Sequence, residues 1–165
     1  MILLSFDIEE FDVPKEHQVD ISMEEQIKVS VEGTNRILDC LERNQVKATF
    51  FCTAIFALHA PDIIKRIQEG GHEIASHGFY HWTFKVEDLK RSKDQLEEIT
   101  GTKVYGYRQA RMMPVSEKAV YEDIYPGKIY AALYSSYSFY KRPCDANAGI
   151  SNSVVTLSFI LAFMS

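Results

Sequence analysis

The sequence predicts an α/β fold built on a parallel sheet. Three observations predict it. Short apolar or β-branched runs recur along the chain, at residues 1–6, 46–52, 72–76 and 103–108. Amphipathic or capped helical segments separate them. The first run ends abruptly in acids, as a buried strand does on reaching a solvated loop. Strands separated by helices imply parallel pairing through right-handed crossovers. Four such units fit either an open doubly wound sheet or part of a β/α barrel.

The elements follow in order. Met1 to Phe6 is an apolar run that suits a buried strand. Ser22 and Glu25 have the S-x-x-E spacing of a capping box. The helix they open carries Ile27, Val31, Ile37, Leu38 and Leu41 near helical spacing, with charges between. "VKATFFC", Val46 to Cys52, is β-branched and aromatic and reads as the second strand. Pro61 starts the next helix through Ile63, Ile64 and Ile67, and Gly70-Gly71 closes it. "HEIAS" is a short third strand. Val86 to Ile99 is a charged amphipathic helix ending before Gly101, "KVYGYR" is a fourth strand, and Ser116 begins a further helix.

Composition excludes several classes. The chain has 165 residues, a formal charge of −5 and no basic footprint for nucleic acid. Cys40, Cys52 and Cys144 form no paired spacing, so a disulfide scaffold is not implied. There is no G-x-G-x-x-G and no P-loop. The N-terminus has no basic region, and its apolar run stops at Asp7, unlike a secretory signal. Val154 to Met164 is apolar, but a span needs about 20 residues. The expectation is a cytoplasmic protein without a membrane span. An exposed apolar tail leaves self-association open.

The chemistry-bearing residues cluster. Asp7, Glu9, Glu10 and Asp12 follow the first strand, where parallel β/α folds carry their sites. Alternation puts Asp7 and Glu9 on the same side if the strand continues that far. A solvated acidic loop is the competing reading. Three of the five histidines fall in "HEIASHGFYH". His77 and His81 can meet one cation at about 2.0–2.1 Å whether they lie on a helix or a loop. With a carboxylate from another strand end they make a 2-His-1-carboxylate set with open positions. His72 lies at the opposite end of that strand and reads as structural. Arg108 ends the fourth predicted strand, where it can hold a carboxylate by a bidentate pair. Tyr80 and Trp82 can line a sugar groove or simply pack. No serine sits in a nucleophile elbow, and neither Cys40 nor Cys52 has a nucleophile motif around it. Metal-assisted hydrolysis leads.

Three segments together resemble the NodB-type polysaccharide deacetylases, carbohydrate esterase family 4. "SFDIEEF" is similar to that family's T-F-D-D-G motif. "GGHEIASHGFYH" matches its H-[ST]-x-x-H motif with the G-H-E-I lead-in. "YGYRQARM" is similar to its R-x-P-x-G motif, with Ala110 in place of the proline. The resemblance implies a distorted (β/α) barrel and removal of N- or O-acetyl groups from a polysaccharide or peptidoglycan-type glycan. By position it makes Asp7 the general base, oriented by Arg108. His77 and His81 become metal ligands. Ile8 stands where the family has its second aspartate, so Glu9 takes the third ligand position, as in relatives with D-x-D or D-x-E. The cofactor implied is one divalent ion, zinc first, with iron, cobalt or nickel as alternatives. Tyr80, Trp82 and Tyr107 are the candidate substrate contacts, with a backbone N–H near Tyr107 for the oxyanion.

The resemblance covers residues 1–124. It fades where the tail begins, and residues 125–165 read as an atypical segment, truncated or frame-shifted. No histidine follows His81, so the family's late acid histidine has no counterpart. The expectations are a barrel incomplete at its C-terminal end with an open edge, and impaired hydrolysis. A non-catalytic glycan- or metal-binding module on the same scaffold is the alternative.

Overall fold

The structure, a computed structural model, describes residues 2–112 and 155–160. Four parallel strands form one sheet in the order β3-β2-β1-β4. They are β1 (Ile2–Ile8), β2 (Ala48–Cys52), β3 (Glu73–Ser76) and β4 (Val155–Ile160). Between them run α1 (Val13–Glu16), α2 (Met23–Arg43), α3 (Ala54–His59), α4 (Pro61–Glu69) and α5 (Val86–Thr100).

Register decides where function can sit. Ile8 pairs with Cys52, and Cys52 with Ser76, so three strands end side by side. The next residues of the first and third strands are Glu9 and His77, which leave the sheet at one edge. Side chains alternate along each strand. Phe6, Ile8, Phe50, Cys52 and Ile74 face the helices and join the main core. Ser5, Asp7, Thr49, Phe51, Glu73 and Ala75 share the opposite face, as the Thr49–Glu73 hydrogen bond of 2.8 Å and the separate Phe51–Ala75 cluster illustrate. Asp7 therefore points away from the helix layer.

The helices cover the other face for local reasons. Ser22 and Glu25 make both capping-box bonds, at 3.2 Å each. Ile27, Thr34, Leu38 and Leu41 of α2 turn inward at helical spacing, while Val31 and Ile37 pack at its margin. Ile63, Ile64 and Ile67 do the same for α4, and Leu89 and Leu96 for α5. Full burial of each such side chain stabilises the fold by about 1.5–3 kcal/mol. Gly101 ends α5 with φ +66°, a left-handed cap that suits glycine.

Several expectations are corrected. "KVYGYR" is not a strand: it makes a single parallel bridge, Tyr107 to Ser76. Ser76 N–H donates to Gly106 O and Arg108 N–H to Ser76 O, both at 2.8 Å. Among the described residues, no further pairing joins this segment to β3. β4, in the segment where no element was expected, pairs along β1 from Ile2–Val155 to Asp7–Ile160. The run at residues 155–160 lacks periodicity yet is rich in β-branched and aromatic residues, which favours a strand. Two helices escaped the sequence reading. α1 is a single turn, and α3, "AIFALH", is too short and uniformly apolar to show a period. The helix expected at Ser116 lies outside the described residues. Among the described residues, no helix is long and apolar enough to cross a membrane.

Candidate metal centre

The strand-end acids and histidines converge. Glu9 presents Oε2 at 3.1 Å from His77 Nε2 and Oε1 at 3.2 Å from His81 Nε2. The three ligand atoms lie within 4.8 Å of one another. The two imidazole rings are nearly parallel, 20° apart, with centroids 5.9 Å apart. β1 delivers Glu9 and β3 delivers His77, while His81 arrives on the loop after β3. α3 shapes that loop: the N–H groups of Ala54 and Ile55, which have no partner inside the helix, donate to Gly78 O and Phe79 O at 3.0 Å. Gly78 sits at φ +93°, a conformation open to glycine.

The far nitrogens of both rings are held. His77 Nδ1 is 2.9 Å from the Arg108 carbonyl. His81 Nδ1 is 2.9 Å from both oxygens of Asp12. A carbonyl and a carboxylate only accept, so both contacts are satisfied when the hydrogen is on Nδ1. In a neutral ring Nε2 is then a lone pair, and both lone pairs face Glu9. Glu9 Oε2 is buried and accepts no hydrogen bond. A buried carboxylate oxygen left in this way is costly. Two lone pairs and an anion converging on one point are compatible only with a cation or with added protons. The donor set fits a divalent metal.

The electrostatics agree. Burial pulls the His77 imidazole toward neutrality, but the negative charges of Asp7 and Glu9 outweigh it, against Arg108, and its pKa lies above the ordinary 6.5. Glu10 is pushed up by burial, opposed by hydrogen bonds from the His81 backbone and Thr53. Burial, then Glu10, raises the Cys52 thiol well above its ordinary value, so a thiolate nucleophile is disfavoured.

Asp7 and Arg108 meet beside this centre. Arg108 Nη1 donates to Asp7 Oδ1, while Nη2 donates to Ser5 Oγ at 2.7 Å. The pair is therefore not the bidentate clasp expected. Ser5 and Asp7 lie two residues apart on one face of β1, and the guanidinium fork spans both. Its carbon rests 3.9 Å from the Phe51 ring centroid.

The aromatic candidates differ. Trp82 is 44% exposed, with the Arg111 guanidinium 4.4 Å from its ring centroid. Tyr80 is half-buried against Phe79, ring centroids 4.8 Å apart. Tyr107 is buried, and its hydroxyl donates to Gln109. Any contact of Tyr107 with a glycan falls to its backbone. His72 lies outside the cluster and accepts the Ala48 N–H at 3.2 Å.

Glu10 and Asp12 were named by sequence only as members of the acidic cluster after the first strand, and Thr53 was not singled out. Glu10 accepts the His81 N–H and the Thr53 hydroxyl, both at 2.8 Å, and so pins the loop. Thr53 also caps α3. Asp12 was one of four acids after the first strand, and the fold brings it to His81.

The protein-family model described as "Polysaccharide deacetylase" matches residues 2–112. Over 66 residues the chain is 33% identical to the peptidoglycan-N-acetylmuramic acid deacetylase PdaA of Bacillus subtilis, covering 40% of this chain and 25% of that one. It is 33% identical over 106 residues to a 30.6 kDa protein of Geobacillus stearothermophilus, covering 56% of this chain and 40% of the relative. The chain thus spans less than half the length of these curated relatives. A solved mutant form of the peptidoglycan deacetylase PdaC of Bacillus subtilis shares the fold, with TM-score 0.57 at 22% identity over 82% of this chain and 59% of that one. The sheet, the strand-end cluster and the family match together show that this chain belongs to the polysaccharide deacetylase family, the NodB-type carbohydrate esterases.

Proposed function

We propose that this chain is a metal-dependent hydrolase that removes acetyl groups from a peptidoglycan-type glycan, cleaving a non-peptide C–N bond. The observation that carries the reading is the convergence of Glu9, His77 and His81 on one point, with a buried Glu9 oxygen that accepts no hydrogen bond. These three residues would hold the cation, with zinc first and iron, cobalt or nickel as alternatives. A divalent ion there supplies Lewis-acid polarisation of an acetyl carbonyl and a lowered pKa for water.

The chain's own groups do the rest. Asp7 is the general base: it takes the proton of the attacking water and, with no late histidine to act as acid, returns that proton to the departing amine nitrogen as the C–N bond breaks. Arg108 fixes the direction of the Asp7 carboxylate, with Ser5 sharing the fork. By the family resemblance, a backbone N–H near Tyr107 would meet the developing oxyanion. Trp82 and Tyr80 flank the cluster and offer aromatic faces to a sugar ring. Membership of the family supports reading the parallel sheet as one arc of a distorted (β/α) barrel.

Acetate release tests this reading. The metal-loaded full chain, given peptidoglycan fragments or chitooligosaccharides, is expected to release acetate. A chain that binds one metal ion yet releases none is a binding module on this scaffold, and the hydrolase reading then fails.

A further inference from the structure

Asp12 occupies the N-cap position of α1, where aspartate ordinarily accepts a hydrogen bond from the first turn of its own helix. It makes no such side-chain bond. Its carboxylate instead sets both oxygens 2.9 Å from His81 Nδ1. At 2% exposure it is almost wholly shielded from water. An ionisable group withdrawn from solvent needs a specific partner, and the partner taken here is the imidazole.

The ring has a carboxylate on each side. Asp12 faces Nδ1, and Glu9 faces Nε2 at 3.2 Å. A neutral imidazole has one hydrogen, and the two acids compete for it. Whichever side wins determines which nitrogen keeps a free lone pair. If the hydrogen sat on Nε2, it would point at Glu9 and close the candidate centre. Asp12 has the closer approach, with two oxygens. His77 needs no such arbiter, because the Arg108 carbonyl holds its Nδ1.

We infer that Asp12 is a positioning residue that keeps the hydrogen of His81 on Nδ1 and so leaves Nε2 free to bind the cation. Glu10 supports it by holding the His81 backbone N–H. The ring and its peptide are thus both held by the acidic segment after β1. Partners of this kind orient ligand rings and raise their basicity. The inference rests on reading Glu9, His77 and His81 as cation ligands.

Long-range nitrogen–proton NMR of the full chain tests it, because the spectrum reports which ring nitrogen bears the hydrogen. In the metal-free protein, the neutral form of His81 is expected to carry its hydrogen on Nδ1. In Asp12→Ala the hydrogen is expected to move to Nε2, while His77 keeps its hydrogen on Nδ1. Zinc affinity of Asp12→Ala, measured by chelator competition, is expected to fall about 10–100-fold. A wild-type His81 with its hydrogen on Nε2 overturns the inference. An Asp12→Ala chain with unchanged tautomer and unchanged affinity does so too. Should Asp12→Ala not fold, the wild-type spectrum alone decides. Should the wild-type chain bind no zinc, the proposed function fails, while the metal-free spectrum still tests the role of Asp12.

Discussion

His77 Nε2 lies 3.1 Å from Glu9 Oε2, while its other ring nitrogen is 2.9 Å from the Arg108 carbonyl. The imidazole is therefore fixed from behind and presents its second nitrogen to a carboxylate. Removing that nitrogen should remove a metal ligand. His77→Ala is expected to lose more zinc affinity than the roughly 10–100-fold cost of losing an outer partner. Chelator competition measures it, and full retention of zinc would remove His77 from the ligand set.

Asp7 is paired with Arg108 and lies outside the three-ligand cluster. Asp7→Asn should leave metal content unchanged and slow acetate release by about 10²–10⁴-fold, the usual contribution of a positioned base. Metal analysis and acetate release on one preparation separate the two effects. Unchanged acetate release would end its assignment as the base.

Arg108 has a structural share as well. It is 5% exposed and is the partner of an Asp7 that is 8% exposed. Arg108→Met would leave that carboxylate nearly buried without its cation. Breaking such a pair from one side costs about 3–5 kcal/mol. A urea unfolding curve should show the midpoint fall by the corresponding amount.

His72 gives a pH dependence unrelated to the metal. Burial first, and Lys47 second, hold its pKa below the ordinary 6.5. Its neutral Nδ1 accepts the Ala48 N–H at the start of β2. A folded-state pKa below the unfolded value means the unfolded chain takes up the proton first. The His72 contribution is fully present above pH 6.5 and is lost as the pH falls through the lower folded value. Melting temperatures of metal-free wild type and His72→Leu, compared across that window, should show a shallower acid slope in the variant.

Parts of this fold were legible because a local rule settles them. The capping box at Ser22 and Glu25 and the glycine stop at Gly101 are determined within a turn of chain. β1 was legible from its apolar run, and its extension to Ile8 is what carries Asp7 and Glu9 to the sheet edge. α3 was hidden because five apolar residues and one histidine are too few to show a period, and it is stabilised by the loop carbonyls of Gly78 and Phe79. The segment "KVYGYR" has a strand's composition but meets β3 at a single bridge, which its own sequence does not reveal. At the site, His77 and His81 stood out by spacing and Glu9 by its place after a strand. Asp12 was legible only as one of four acids after β1, and its pairing with His81 was not, since that partner lies on another strand's loop.

The central claim is that one divalent ion is held by Glu9, His77 and His81 together. X-ray absorption spectroscopy of the zinc-loaded full chain, with metal stoichiometry on the same sample, tests it most directly. The account predicts one bound zinc per chain with two imidazoles and oxygen in its shell, and loss of the imidazole signal in the His77→Ala, His81→Ala double variant. A chain that binds no zinc, or binds it with no imidazole in the shell, would contradict the account.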